Sequence, residues 1–253
     1  MSGAGLCKYS TDESIRPYAE VADAVVVGSI TLHPRSGNEG RCEYFDNPLY
    51  AANAWGMPND GSEAVVTTKI SHSNVIVSVA EFSPEGLAET FRRLQDGFAA
   101  VELNFGCPNT GGEIFSFSPT LVSETLDLVG SVGEGTHLGV KLSPYTDLSV
   151  LSRVARAIVD SGVVNYVATK QTGNVGGISG EALKPLSLAN ARMFRGVLPR
   201  TIDVIRVGAI STGKDVWDSY HVGCTGVQVV TAIAQHGPKV LNKIRQEYAD
   251  IIG

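Results

Sequence analysis

The stretch HLGVKLSPYTDLSVLSRVARAIVDSGVVNYVATK (137–170) decides the fold. It opens on a short β-branched run, HLGVKLS (137–143), and closes on another, NYVATK (165–170). Between them Asp147 is placed as a helix cap ahead of Leu148, Leu151, Val154, Ala155 and Ile158, spaced to share one apolar face. A strand, a helix and a second strand in this order form the unit of a parallel sheet covered by helices.

The same unit repeats outward in both directions. AVVVGS (24–29), NVIVSVA (74–80), AAVELNF (99–105), DVIRVGA (203–209) and GVQVVTA (226–232) complete seven runs that read as buried parallel strands, with the stub MSGAG as a first, trimmed one. Helices are signalled by Ser83-Pro84-Glu85 and Ser118-Pro119, each a cap followed by a first-turn proline, and by patterns over 187–196, 212–221 and 238–251. About eight strand–helix units predict an α/β fold of the (β/α)8 TIM-barrel type. A doubly wound open sheet is the competing architecture, but no GxGxxG follows any of the strands. The stretch 31–74, long, polar and rich in Gly and Pro, is the one irregular segment and predicts a working loop on the catalytic face.

Composition agrees with a folded, single-domain chain spanning 1–253. Hydrophobic residues make up 43% and charged residues 18%, enough apolar surface for a sizeable core. The 253 residues suit one α/β barrel, with no internal repeat or linker. Lys and Arg number 20 against 26 Asp and Glu, and a net charge of −6 argues against a nucleic-acid partner. The 28 glycines point to tight turns or to close approach of backbone to a ligand. Cys7, Cys42, Cys107 and Cys224 are too scattered for a metal or disulfide pattern and read as free thiols of a reducing compartment. The five histidines lie apart, so no metal site is expected. MSGAGLCKYS is not a leader peptide and no apolar run approaches a membrane span, which predicts a soluble, cytoplasmic protein with no membrane partner.

In a barrel the chemistry gathers where the strands end. The fourth strand delivers Asn104-Phe105-Gly106-Cys107-Pro108-Asn109, the fifth Lys141, and the sixth Lys170 followed by Gln171-Thr172-Gly173-Asn174. After the seventh comes Gly208-Ala209-Ile210-Ser211-Thr212-Gly213 and after the eighth Val230-Thr231-Ala232, the two places where barrels bind phosphate through backbone amides. Gly176-Gly177 adds a third set of amides. Each feature also has a plainer reading. Most cysteines are core filler, which suffices for Cys7, Cys42 and Cys224, whereas Cys107 sits outside a strand between Gly106 and Pro108. Lys141 lies inside an apolar run and must be paired or functional. Asn109 reads equally as a turn former, and the Gly-rich loops equally as ordinary turns.

ELNFGCPN (102–109), NAWGMPN (53–59), GVKLSPYTD (139–147), GGISGEALKP (176–185), LANARMF (188–194) and VGAISTGKD (207–215) together carry a resemblance that covers essentially the whole chain. The chain resembles the dihydroorotate dehydrogenase family, in its soluble, cysteine-using class, and LANARMF favours the homodimeric branch. The resemblance implies FMN as cofactor, held over the barrel mouth by Ala4, Gly5, Ser29, Lys141, Gly176, Gly177, Gly208, Ala209, Val230 and Thr231. It implies a dihydroorotate-like small molecule as partner, a possible homodimer, and a step of pyrimidine biosynthesis. Cys107 would be the base that takes a proton from carbon 5 while hydride leaves carbon 6 for the flavin. A thiol of ordinary pKa, about 8.5, is only slightly out of range for that task near neutral pH. Asn53, Gly56, Met57, Asn104, Asn109 and Gln171 would surround the substrate, with amides offering both donor and acceptor. Lys141 would lie against the flavin edge that becomes anionic on reduction, and Lys170 is the third catalytic candidate.

Three departures from the family pattern fall in the site. Gly28 stands where the family carries a lysine before the serine that aligns with Ser29. Lys170 and Gln171 replace an asparagine and a hydroxyl residue, which suggests that one positive charge has moved from the second strand to the sixth. Val175 alone separates Asn174 from Gly176, where the family has a longer excursion. Val230 stands where the soluble class has glycine, but the membrane-bound class carries a bulky residue there, so it does not exclude the phosphate. Two rival readings remain open: a Schiff-base lyase using Lys170, whose pKa a neighbouring cation would lower, and a flavin-binding relative without catalysis.

Overall fold

Eight parallel strands run in chain order around a barrel. The computed structural model describes residues 1–7, 11–39, 49–68, 70–107, 114–133, 135–169 and 177–253. Within them the strands are β1 Ser2–Cys7, β2 Val25–Ile30, β3 Ala51–Asn53, β4 Val75–Val79, β5 Ala100–Asn104, β6 Leu138–Leu142, β7 Tyr166–Thr169, β8 Gly177–Ser179, β9 Asp203–Val207 and β10 Gly226–Gln228. The large sheet has the order β1-β2-β4-β5-β6-β7-β9-β10. Its ends meet in a parallel bridge between Ser2 and Val229, where Gly3 N–H donates to Val229 O and Val229 N–H to Met1 O, each at 3.0 Å. The remaining pair, β3 and β8, forms a small antiparallel ribbon beside the barrel mouth.

The helices are α1 Asp12–Ala19, α2 Gly61–Thr67, α3 Pro84–Leu94, α4 Pro119–Val132, α5 Leu148–Ser161, α6 Lys184–Val197, α7 Gly213–His221, α8 Thr231–His236 and α9 Val240–Ile252. Their starts follow the expected caps. Ser83 accepts from Gly86 N–H, Ser118 from Leu121 N–H and Asp147 from Ser149 N–H, while Thr212 and Asp215 close a reciprocal capping box. Leu151, Val154, Ala155 and Ile158 of α5 are buried as their spacing predicts, but Leu148 is 56% exposed. It occupies the first helical position.

Alternation along the strands builds two cores. Val26, Ile76, Ala100, Tyr166, Ala168, Ile205 and Val207 point inward and fill the barrel. The larger cluster lies between the wall and the helices and holds Cys7 and Cys224, both buried as filler; Cys42 lies outside the described residues. Gly139 is required opposite Tyr166, since a Cβ there would fall 2.0 Å from its ring.

Several boundaries differ from the sequence reading. The 31–74 segment is not wholly irregular, because it contains β3 and α2. The last strand ends at Gln228, and Thr231 opens α8, a helix separate from α9 that no sequence pattern had marked. Helix α1 also went unmarked, since Pro17 lies inside it and interrupts its pattern.

Candidate active site

The C-terminal ends of the strands open into one cavity. Every described residue that sequence reasoning placed in the site lines it: Cys107 and Lys141; Asn53, Gly56, Met57 and Asn104; Ala4, Gly5, Ser29, Gly177, Gly208, Ala209, Val230 and Thr231. Asn109, Lys170, Gln171 and Gly176 lie outside the described residues.

Asn104 ends β5 with its amide fixed at both atoms. Nδ2 donates to Ser29 Oγ at 2.8 Å, and Oδ1 accepts from Gly106 N–H at 3.2 Å. Ser29 Oγ in turn lies 2.9 Å from Ser78 Oγ, so three strand ends hold the asparagine in one orientation. Three residues on, Cys107 is partly exposed to the cavity and in no disulfide. The turn behind it is anchored by Ser116, whose hydroxyl donates to Phe105 O at 3.0 Å and accepts from Ser143 N–H at 2.9 Å.

The wall beneath the cavity carries a buried ion pair. Lys141 Nζ lies 2.5 Å from Glu102 Oε1, with side-chain exposures of 4% and 0%. Glu102 Oε2 accepts from Gln228 Nε2 at 2.6 Å and from Tyr166 Oη at 3.4 Å. Lys141 is the cationic side chain among the described residues of the cavity lining. Burial, followed by the charge and hydrogen bond of Glu102, drives the Tyr166 phenol well above its ordinary value, so it acts as a neutral donor. Gln228 Oε1 is buried without a hydrogen-bond partner among the described residues, an acceptor that a ligand N–H would satisfy.

The roof is the β3–β8 ribbon, in which Asn53 stands opposite Gly177, together with the loop 54–58. Gly56 and Met57 take left-handed backbone, φ 67° and 59°. The peg of this loop is Asn59, only 3% exposed. Its Oδ1 accepts from Thr31 N–H and Gly61 N–H, at 3.1 and 2.9 Å, and its Nδ2 donates to Met57 O at 2.9 Å. One side chain therefore ties the roof to the exit of β2.

At the far side Gly208 and Ala209 are both left-handed, φ 100° and 57°. Asp215 gathers the next turn, its Oδ2 accepting from the amides of Ser211 and Thr212 at 3.0 and 2.9 Å. Its Oδ1 meets Lys184 Nζ at 2.6 Å. Burial opposes ionisation of Asp215, yet Lys184 and these donors outweigh it and hold the carboxyl below its ordinary range.

Gly28 also has a left-handed φ of 100°, and a Cβ there would meet Ser78 O at 2.7 Å and Ile30 N at 2.8 Å. The lysine that the family pattern carries at this position therefore has no room on this backbone. Glu102, Gln228, Asn59 and Arg206 were missed in the sequence. An acid in AAVELNF and an arginine in DVIRVGA are as conspicuous in apolar runs as Lys141, and the same argument would have found both. No cluster of His, Cys, Asp and Glu among the described residues could hold a metal, and none of their helices is long and apolar enough to cross a membrane.

The family profile described as dihydroorotate dehydrogenase matches residues 1–252. The chain belongs to the dihydroorotate dehydrogenase family. Its homologues make this a family of flavin-dependent oxidoreductases, and the chain is an enzyme of that kind. It is similar to the probable dihydroorotate dehydrogenase A (fumarate) of Enterococcus faecalis, 29% identical over 100% of this chain and 89% of that protein. It is also similar to the dihydroorotate dehydrogenase (fumarate) of Saccharomyces paradoxus, 30% identical over 100% of this chain and 88% of that one. The crystal structure of the Eimeria tenella DHODH in complex with ferulenol has the same fold, with a TM-score of 0.87 and 18% identity over 99% of this chain and 80% of that one.

Proposed function

We propose that the chain oxidises dihydroorotate, or a related small cyclic acid, to orotate or its equivalent, with FMN as cofactor and Cys107 as base. The observation that carries this reading is convergence. A partly exposed thiol on the β5 loop, a buried cation on β6 and a left-handed turn after β9 line one cavity, though the sequence separates them widely.

The residues fit a flavin. Backbone at Gly5, Gly208 and Ala209 lines the cavity with little side chain in the way, and a Cβ at Gly5 would meet nothing within 4 Å. Lys141 would face the flavin edge that gains negative charge on reduction, and the orphan acceptor Gln228 Oε1 suits a ring N–H. FMN, when bound, supplies the acceptance of hydride. The rest is the work of this chain's own groups. Asn104, fixed by Ser29 and Gly106, and Asn53 on the ribbon orient the substrate ring and its carboxylate. Cys107 Sγ takes the proton from carbon 5, and the roof pegged by Asn59 restricts water. The same reading carries a cytoplasmic location, one domain over 1–253 and a homodimer.

The test is the visible spectrum of freshly purified protein, followed by anaerobic addition of dihydroorotate. A yellow protein that bleaches supports the proposal. A colourless protein that takes up no added FMN overturns it, and a yellow one that neither dihydroorotate nor related acids bleach leaves a flavin binder without this activity.

A further inference from the structure

Arg206 is an arginine with 0% exposure in the middle of β9. Its neighbours Ile205 and Val207 point into the barrel, so Arg206 points outward, between the wall and helices α6 and α7. There it makes four hydrogen bonds. Nε donates to Ser187 Oγ at 2.8 Å, Nη1 to Ser219 Oγ at 2.9 Å and to Asp215 O at 3.1 Å, and Nη2 to Ala209 O at 3.1 Å. Every one of these partners is a neutral oxygen. A buried guanidinium without a contacting carboxylate is costly and calls for a reason.

The reason lies in the turn it holds. Ser187 Oγ, which accepts from Arg206, also donates to Gly208 O at 3.1 Å. The carbonyls of Gly208 and Ala209 are thus both drawn backward, toward α6 and the guanidinium. In a planar trans peptide the N–H points opposite to the C=O. The amides of Ala209 and Ile210 are therefore turned forward, toward the cavity that Gly208, Ala209 and Ile210 line. Ala209 at φ 57° is a conformation that a non-glycine residue keeps only where its surroundings impose it. Arg206 and Ser187 supply that imposition, and the positive charge stands directly behind the forward-facing amides.

We infer that Arg206 is a positioning residue for the anionic tail of the cofactor: it aims the amides of Ala209 and Ile210 at a phosphate and backs them with its charge. This rests on the flavin reading above and on the phosphate expected at this turn from the sequence; what it adds is the role of Arg206.

FMN and riboflavin differ by that phosphate alone, so their affinity ratio isolates the effect. The full-length, flavin-stripped protein and its Arg206→Ala and Ser187→Ala variants are titrated with each flavin by fluorescence quenching. The wild-type chain is expected to prefer FMN, and the variants to lose about tenfold or more (Arg206→Ala) and several-fold (Ser187→Ala) in FMN affinity while riboflavin affinity holds. Should Arg206→Ala fail to fold, as a thermal melt would show, Ser187→Ala decides. An FMN-to-riboflavin ratio unchanged in the folded variants overturns the inference, even if both affinities fall together. A wild-type chain that binds both flavins equally overturns it while sparing the flavin reading, and one that binds neither overturns both.

Discussion

Lys141 Nζ and Glu102 Oε1 lie 2.5 Å apart across neighbouring strands β6 and β5, with neither side chain more than 4% exposed. The register sets Lys141 opposite Asn104 and Glu102 opposite Gly139, so the two side chains meet along a diagonal with no bulk between them. Replacing one member strands a buried charge, at a cost of about 3–5 kcal/mol. Lys141→Met and Glu102→Leu are each expected to lose stability on this scale in urea unfolding, and the double variant markedly less than their sum. Strict additivity would show that the two groups do not act as a pair.

Cys107→Ser keeps the shape of the loop but replaces a thiol with a far weaker acid–base group. Turnover with dihydroorotate is expected to fall by about 10²–10⁴ while the flavin spectrum stays as in the parent. Retention of wild-type kcat would remove Cys107 as the base.

Burial pushes the Cys7 thiol up to about 12, and burial, partly offset by Arg206 and Arg195, pushes Cys224 to about 11. Both remain protonated at neutral pH, and the thiolate is the nucleophile. Brief iodoacetamide treatment of native protein at pH 7.5, read by peptide mass spectrometry, should therefore modify Cys107 and spare Cys7 and Cys224. Rapid modification of either buried thiol would contradict this packing.

Gly28→Lys is the natural attempt to restore the cation of the family pattern. Its Cβ would meet Ser78 O and Ile30 N on a backbone of φ 100°, so a loss of about 2 kcal/mol or more is expected, without a gain in dihydroorotate turnover. A stable, faster variant would show that the β2 exit can rearrange.

Asp215 has a folded pKa below its ordinary carboxylate value, so its stabilising contribution is complete above about pH 5 and is lost as pH falls through the folded value. Melting temperature should drop below about pH 4 in the parent, and the drop should be shallower in Asp215→Asn. Equal slopes would show that this carboxylate makes no linked contribution.

What the sequence by itself determined was the repeating local order. Runs such as DVIRVGA and HLGVKLS alternated with capped helices, and short motifs at the strand ends placed Cys107, Lys141, Asn104 and the Gly208–Ala209 turn at one end of a barrel. These signals are local, because a cap or a strand period is written within a few residues. Only the tertiary structure decided which groups meet across the closed sheet. Glu102 is bonded by Gln228, 126 residues away, through barrel closure. The ribbon of β3 and β8 joins Ala51 to Ser179. Arg206 became legible as the back support of a left-handed turn once α6 and α7 had packed against β9. Such partnerships depend on strand tilt and helix packing summed over the whole chain, and no short window of sequence contains them.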